Sequence, residues 1–84
     1  MKFGLYVIKD AKTGYMTPTV DQNDASALRN FAHAVSQPDS LLHSHPNDFT
    51  LCRLCSFDTD TGIGDVLPVP YVVADASEVL RDEG

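Results

Sequence analysis

Residues 3–17 read FGLYVIKDAKTGYMT, and this stretch decides how the fold begins. Residues 3–9 alternate along their length and are rich in β-branched and aromatic side chains, which predicts a strand. The segment Asp10–Gly14 is typical of a tight turn, because aspartate caps its own backbone and glycine accepts the left-handed conformation. Residues 15–17 predict a returning strand that ends at Pro18, since proline has no amide hydrogen to donate. The first unit is therefore predicted to be a β-hairpin.

From Asp21 onward the apolar spacing changes to that of a helix. Four apolar side chains at i, i+3, i+4 and i+7 predict one buried stripe, formed by Leu28, Phe31, Ala32 and Val35. The candidates for capping this helix at its N-terminus are Asp21, Asn23 and Asp24. Pro38 predicts its end.

The second half repeats this order of elements at an offset of 48 residues. Residues 49–57 (FTLCRLCSF) predict a third strand, Asp58–Gly62 repeats the D-x-x-T-G turn, and residues 63–67 predict a fourth strand before Pro68. Asp75 followed by Glu78 resembles a capping box for a short C-terminal helix. The repetition fits either an internal duplication or two hairpins that solve one turn problem with the same residues.

These elements predict a single α+β domain over residues 1–84, with a small antiparallel β-sheet of about four strands (two hairpins) and one main helix packed on one face. Strict alternation along the third strand puts apolar residues on both of its faces: Phe49, Leu51, Cys55 and Phe57 on one, Cys52 and Leu54 on the other. A sheet with one wet face would alternate polar residues there. We therefore expect a homo-oligomer, a dimer or larger, in which a second copy covers the sheet or extends its edge.

The net charge of −6 argues against a sequence-independent coat for nucleic acid, which presents an excess of lysine and arginine to phosphate. Residues 1–42 carry four basic and four acidic residues, whereas residues 43–84 carry two basic and eight acidic ones. Any surface for phosphate is therefore expected in the first half. No stretch approaches the roughly 18 apolar residues of a membrane span, and no export signal is recognisable, so we expect a cytoplasmic protein without membrane contact.

The two cysteines invite a zinc or redox interpretation that their setting does not favour. Cys52 and Cys55 lie three apart on a predicted strand, so they would share a metal only if a bulge or turn intervened. A redox C-x-x-C opens a helix, whereas this one precedes a turn. Asp58, Asp60 and Gly62 fail the spacing of a calcium loop. We expect no metal, no cofactor and, in a domain with little room for a substrate cleft, no enzyme.

The remaining candidate is a nucleic-acid surface on the first hairpin. Lysines next to aromatic side chains on an open sheet hold single strands in many small modules. The candidate binding residues are Tyr6, Lys9, Lys12, Tyr15 and Arg53. The same residues also suit a simpler role, in which the lysines keep a sheet edge soluble and the tyrosines cover the pleat.

Three segments carry a resemblance to a known family: GLYVIKDAKTGYMTPTVDQNDASALRNFAHAV, SHPNDF and FDTDTG. With them the chain resembles the small nonstructural protein of the gokushovirus-type microviruses, bacteriophages with circular single-stranded DNA. The resemblance runs from Phe3 to about Gly62 and is weakest after Pro68. It implies a protein made in the cytoplasm of the infected bacterium, absent from the virion, that supports the switch to single-stranded genome synthesis and in some relatives binds DNA.

Two functions of different classes follow. In the first, the protein supports viral DNA replication by contacting single-stranded DNA through its lysine-bearing hairpin. In the second, it is an acidic adaptor or inhibitor that binds the viral initiator or a host replication protein without touching DNA. The overall charge favours the second, and the family resemblance favours the first.

Overall fold

The computed structural model describes residues 1–83, which form one antiparallel sheet with helices against a single face. This confirms the predicted α+β class. In chain order the elements are β1 (Lys2–Asp10), β2 (Gly14–Tyr15), β3 (Thr19–Asp21), α1 (Asp24–Ser36), α2 (Leu41–Ser44), a 3₁₀ turn (Pro46–Asp48), β4 (Phe49–Asp58), β5 (Gly64–Asp75) and α3 (Ala76–Glu83). Within this range no helix is long and apolar enough to cross a membrane.

The two hairpins lie side by side in the sheet, with strand order β2-β1-β4-β5 and β3 paired to β1. Each turn closes as predicted: the Asp10 carboxylate accepts from the Lys12 amide and the Asp58 carboxylate from the Asp60 amide, both at 2.9 Å. Gly14 (φ +118°) and Gly62 (φ +75°) hold the left-handed positions. The hairpin strands β1 and β4 pair antiparallel at the centre, so the two turns lie at opposite ends of the sheet.

The predicted strand ends at proline are wrong in both hairpins. After Pro18 the chain resumes pairing with β1 as β3, one residue out of the β2 register. Strand β5 runs through Pro68 and Pro70 to Asp75, and its pairing with β4 is irregular between Val66 and Tyr71. Both exceptions have one cause: the prolines fall at irregularities or on an outer strand, where no ladder amide is required.

Helix α1 carries the predicted apolar stripe, turned slightly about its axis. Phe31 and Val35 are fully buried as predicted, Leu28 and Ala32 are half-buried, and Ala27 is buried instead. Its N-cap is Asn23, whose side chain accepts from the Ser26 amide at 2.8 Å. Ala27 precedes Phe31 by four residues and Val35 by eight, so the three buried residues form one stripe along α1.

The core lies between the helices and one face of the sheet. Besides the α1 stripe, its buried side chains are Tyr6, Leu42, Phe49, Leu51, Ala76 and Val79. Helix α3, predicted from its capping box, therefore packs into the helical layer beside α1. The opposite face receives no helix from residues 1–83.

A β-bulge at Leu54 changes which side chains share a face of β4. Pairing steps from Leu5–Cys55 directly to Tyr6–Arg53, so Leu54 has no partner on β1. Such an extra residue reverses the alternation beyond it. Phe49 and Leu51 consequently face the helices, while Cys55 and Phe57 face away from them. The predicted grouping of these four on one face was therefore wrong.

Candidate nucleic-acid interface

We call the sheet face opposite the helices the open face. The strand registers show which residues lie on it, because paired residues share a face. One end of it is polar: Tyr15, Lys9, Thr50 and Asp75 stand opposite one another across four strands. The rows that follow are apolar. They consist of Val7, Cys52 and Val72; then Val20, Leu5, Cys55 and Val66; then Phe3 and Phe57.

Three of the five predicted binding residues meet at the polar end, which we call the hairpin tip and define as Lys9, Lys12 and Tyr15. The Lys9 ammonium lies 5.6 Å from the centre of the Tyr15 ring, a cation–π distance. Lys12 is exposed on the turn between their strands, and 54% of Tyr15 is exposed. The tip therefore offers two cations and one aromatic face to solvent.

Tyr6 does not belong to this surface, and its prediction as a stacking residue is corrected. Only 2% of it is exposed, because its ring faces the helices across Gly4. Its hydroxyl donates to the Asp24 carboxylate at 2.5 Å. Burial, reinforced by that hydrogen bond, raises the pKa of Tyr6 to about 12. A base has no access to this ring.

Arg53 also lies away from the hairpin tip, on the face that carries the helices. Its guanidinium is 3.2 Å from the Asp24 carboxylate and 5.4 Å from the centre of the Tyr71 ring. The positive charge of Arg53, which was predicted to contact phosphate, is therefore paired with Asp24. Tyr71, whose exposed fraction equals that of Tyr15, was missed because only the β4–β5 register places it opposite Arg53.

The acidic charge of the second hairpin lies at the other end of the sheet. Asp58, Asp60 and Asp65 stand in or beside its turn, and the N-terminal ammonium of Met1 lies 2.7 Å from Asp60 and 3.6 Å from Asp58. The hydrogen bond from the Asp60 amide is the main cause that lowers the pKa of Asp58. The hairpin tip is thus separated from this acidic turn by the length of β1, although Asp10 and Asp75 remain near it.

The cysteines lie on the same face of β4, contrary to the prediction that they point apart. The bulge at Leu54 puts Cys52 opposite Val7 and Cys55 opposite Leu5, and both are free thiols on the open face. Burial raises the pKa of Cys52, which makes its thiolate harder to form. No third cysteine, histidine or carboxylate within residues 1–83 joins them in a group able to hold a metal.

The largest hollow lies on the helix side of the sheet, between β3 and α1, with a volume of about 520 Å³. Phe31 and Ala34 line its apolar side, while Asp21 and Asn30 stand at its rim. Asp21 accepts from Ser26 Oγ and Asn30 Nδ2, and the bond from Ser26 is the main cause that lowers its pKa. These bonds join the sheet to α1, so we assign the rim a structural role.

Comparison with known proteins gives one match. The family model described as "Phage ORF5 protein" matches residues 3–79, which is most of the chain. Neither the search of curated proteins nor that of solved structures returned a match.

Proposed function

The chain belongs to the Phage ORF5 protein family, and from that premise we propose that it is a nonstructural protein acting in viral DNA replication. The proposed role is support of single-stranded genome synthesis in the cytoplasm of the infected bacterium, without enzymatic activity and outside the virion. The resemblance to the gokushovirus-type microviruses supports this role. Its proposed physical basis is direct contact with single-stranded DNA.

One observation carries the DNA contact: Lys9, Lys12 and Tyr15 are exposed together at the hairpin tip. An aromatic face accepts any base by stacking, which contributes about 1–3 kcal/mol per base, while lysines neutralise the adjoining phosphates. The acidic turn near Asp58 lies at the far end of β1 and so repels the strand least from this position. The tip is the place on this acidic chain where a single strand meets two lysines and a stacking surface.

The test is fluorescence anisotropy of a labelled oligothymidine about 20 nucleotides long, titrated with protein at several salt concentrations. Two lysine–phosphate contacts predict a slope of log K against log salt near −1.4 per chain, because each contact to a single strand contributes about −0.7. The double variant Lys9→Gln, Lys12→Gln is expected to bring this slope close to zero. Wild-type protein that shows no binding at 20 mM salt would refute the DNA contact.

Tyr71 provides a matched control for the stacking residue. Both tyrosines are 54% exposed and both have a cation 5.4–5.6 Å from the ring centre, but Tyr71 lies on the helix face beside Arg53. Tyr15→Ala is expected to weaken binding about 5- to 150-fold, the loss of one stacked base, whereas Tyr71→Ala leaves it unchanged. The reverse result would move the DNA to the helix face and overturn the assignment of the tip.

An acidic adaptor that binds the viral initiator or a host replication protein is the second candidate. The observation that favours it is the exposed acidic turn, where Asp60 and Asp65 flank the exposed Ile63. This candidate predicts no oligonucleotide binding and capture of a replication protein from infected cells. Asp60→Asn with Asp65→Asn would then abolish the capture, while Lys9→Gln would leave it intact.

A further inference from the structure

The middle of the open face is apolar, and its side chains on the outer strands are exposed. Its apolar rows run from the Val7 row to the Phe57 row. They contain side chains from four strands and no charged group. On the central strands Val7 and Cys52 are buried by the curl of the sheet, but on the outer strand Val66 is 79% and Val72 is 55% exposed. An antiparallel sheet that meets water on one face carries polar residues there. This face therefore has the composition of a buried surface.

No helix of residues 1–83 covers these exposed side chains. Helix α3 follows β5 directly and was therefore the segment best placed to cover the open face. Its residues Ala76 and Val79 instead pack into the core beside α1. The helices thus all pack against the other face. A cover for these side chains therefore lies outside residues 1–83.

The surface area agrees with a missing cover. The chain exposes 5462 Å², whereas a compact monomer of 9.2 kDa is expected to expose about 4,900 Å². The excess of about 560 Å² is a large part of the roughly 800 Å² that each partner buries in a stable interface. Such an excess fits a chain whose sheet is half of a larger core.

The edge of the sheet is poorly suited to a partner strand. Pro68 and Pro70 stand in the middle of the outer strand β5, where they remove two amide donors and break the regular pairing. Prolines and irregular registers on outer strands are devices that prevent edge-to-edge pairing. The opposite edge consists of the short strands β2 and β3, and short edge strands also disfavour pairing, so a partner is directed to the face of the sheet.

We propose that a second copy of this chain packs its open face on the first, in a symmetric homodimer. A two-fold axis brings the same apolar rows together from both copies, and an apolar patch is complementary to itself. The contact keeps the carboxylates of two chains of charge −6 at the rim, where water screens their repulsion. The hairpin tips remain at the rim as well, so this proposal does not depend on DNA binding.

The test is light scattering after gel filtration, from 5 to 200 µM protein. The wild-type protein is expected to have about twice its chain mass of 9.2 kDa. It should keep this mass in 1 M salt, a concentration that would abolish contacts to phosphate. Val66→Glu with Val72→Glu is expected to raise the dimer Kd at least tenfold, because it puts four carboxylates into the contact. Leu41→Glu adds one carboxylate per chain at an apolar residue of the helical layer that is 63% exposed, and it should leave the dimer intact.

A second readout does not depend on these variants. Cys55 lies in the proposed contact, so the reaction of its thiol with a colorimetric disulfide reagent is expected to slow as the protein concentration rises through the dimer Kd. A 9.2 kDa species at 200 µM, with thiol reactivity independent of concentration, would overturn the proposal. So would a dimer that Leu41→Glu breaks and the valine variant leaves unchanged.

Discussion

The bond between Tyr6 and Asp24 predicts a specific loss of stability at high pH. Tyr6 is the largest polar side chain in the core, and its neutral hydroxyl donates to a carboxylate that also receives the Arg53 guanidinium. Deprotonation would leave a phenolate in the buried ring of Tyr6 and put a second negative charge beside the Asp24 carboxylate. This is why the folded protein holds the pKa of Tyr6 near 12, against 10.0 for the free side chain.

The sign of the effect follows from these two values. A group whose pKa is raised by folding stabilises the native state fully below its unfolded pKa and loses that contribution as pH rises through its folded pKa. Between pH 10 and 12 the unfolded chain releases the phenol proton while the native chain retains it. Two pKa units correspond to about 3 kcal/mol, so Tyr6 alone is expected to reduce the free energy of unfolding by that order across this range.

The variant Tyr6→Phe separates this effect from all other alkaline titrations. At pH 8 it is expected to be less stable than wild type by about 1.5–3 kcal/mol, the contribution of a hydrogen bond to a charged acceptor. The gap should close as pH approaches 12, because the unfolded wild-type chain has by then released the phenol proton that the native chain still holds. Urea unfolding followed by circular dichroism at half-unit intervals from pH 8 to 12 measures it, and the difference in absorbance at 295 nm between the two proteins locates the Tyr6 titration.

Two parallel curves, with a constant gap from pH 8 to 12, would refute this reasoning. The control is Tyr15→Phe, which removes the hydroxyl of an exposed tyrosine at the hairpin tip and is expected to follow wild type throughout. An absorbance difference for Tyr6 that develops near pH 10 would show that its ring is not held in the core.

Further predictions concern three contacts of the helical layer. Phe31→Ala is expected to lower the free energy of unfolding by about 3–5 kcal/mol, enough to leave a domain of this size largely unfolded. Urea titration measures this loss, and an unchanged midpoint would mean that the α1 stripe faces water. Gly4→Ala sets a methyl group 2.5 Å from the Tyr6 ring and is expected to cost about 1–3 kcal/mol, which a melting curve equal to wild type would contradict. Folding lowers the pKa of Asp21, so its stabilising effect is present above the unfolded pKa and is lost as pH falls through the folded pKa. Ser26→Ala should flatten this loss of stability in acid, and a stability profile against pH that the substitution leaves unaltered would count against the bond.

The sequence by itself predicted the two hairpins, α1 and α3 in their order, but not β3, α2 or the 3₁₀ turn. The D-x-x-T-G turns, the strand character of residues 3–9 and 49–57, the α1 stripe and the capped C-terminal helix all depend on local backbone preferences and on periodicity. Both turn glycines adopt the expected positive φ, and Phe31 and Val35 are buried as their spacing required. Local patterns were sufficient here because each property is set within one element.

Residue identity also predicted part of the candidate site. It placed Lys9, Lys12 and Tyr15 on one hairpin, where two of them form a cation–π pair. It failed for Tyr6, because alternation places this ring on one side of β1 but does not say which side the helices cover. Only the packing of α1 decided that Tyr6 is a core residue bound to Asp24.

What only the tertiary structure decided is which side chains share a face of the sheet. The bulge at Leu54 reverses the alternation of β4 beyond it and brings Cys52 and Cys55 to one face, while Arg53 stays with Phe49 and Leu51 on the face that carries Asp24. A one-residue slip in register exchanges every side chain between the two faces, and its position depends on the partner strands β1 and β5. Pairing between segments some fifty residues apart cannot be predicted from local patterns. The sequence therefore determined the strands, whereas the contacts between strands determined which side chains form each face of the sheet.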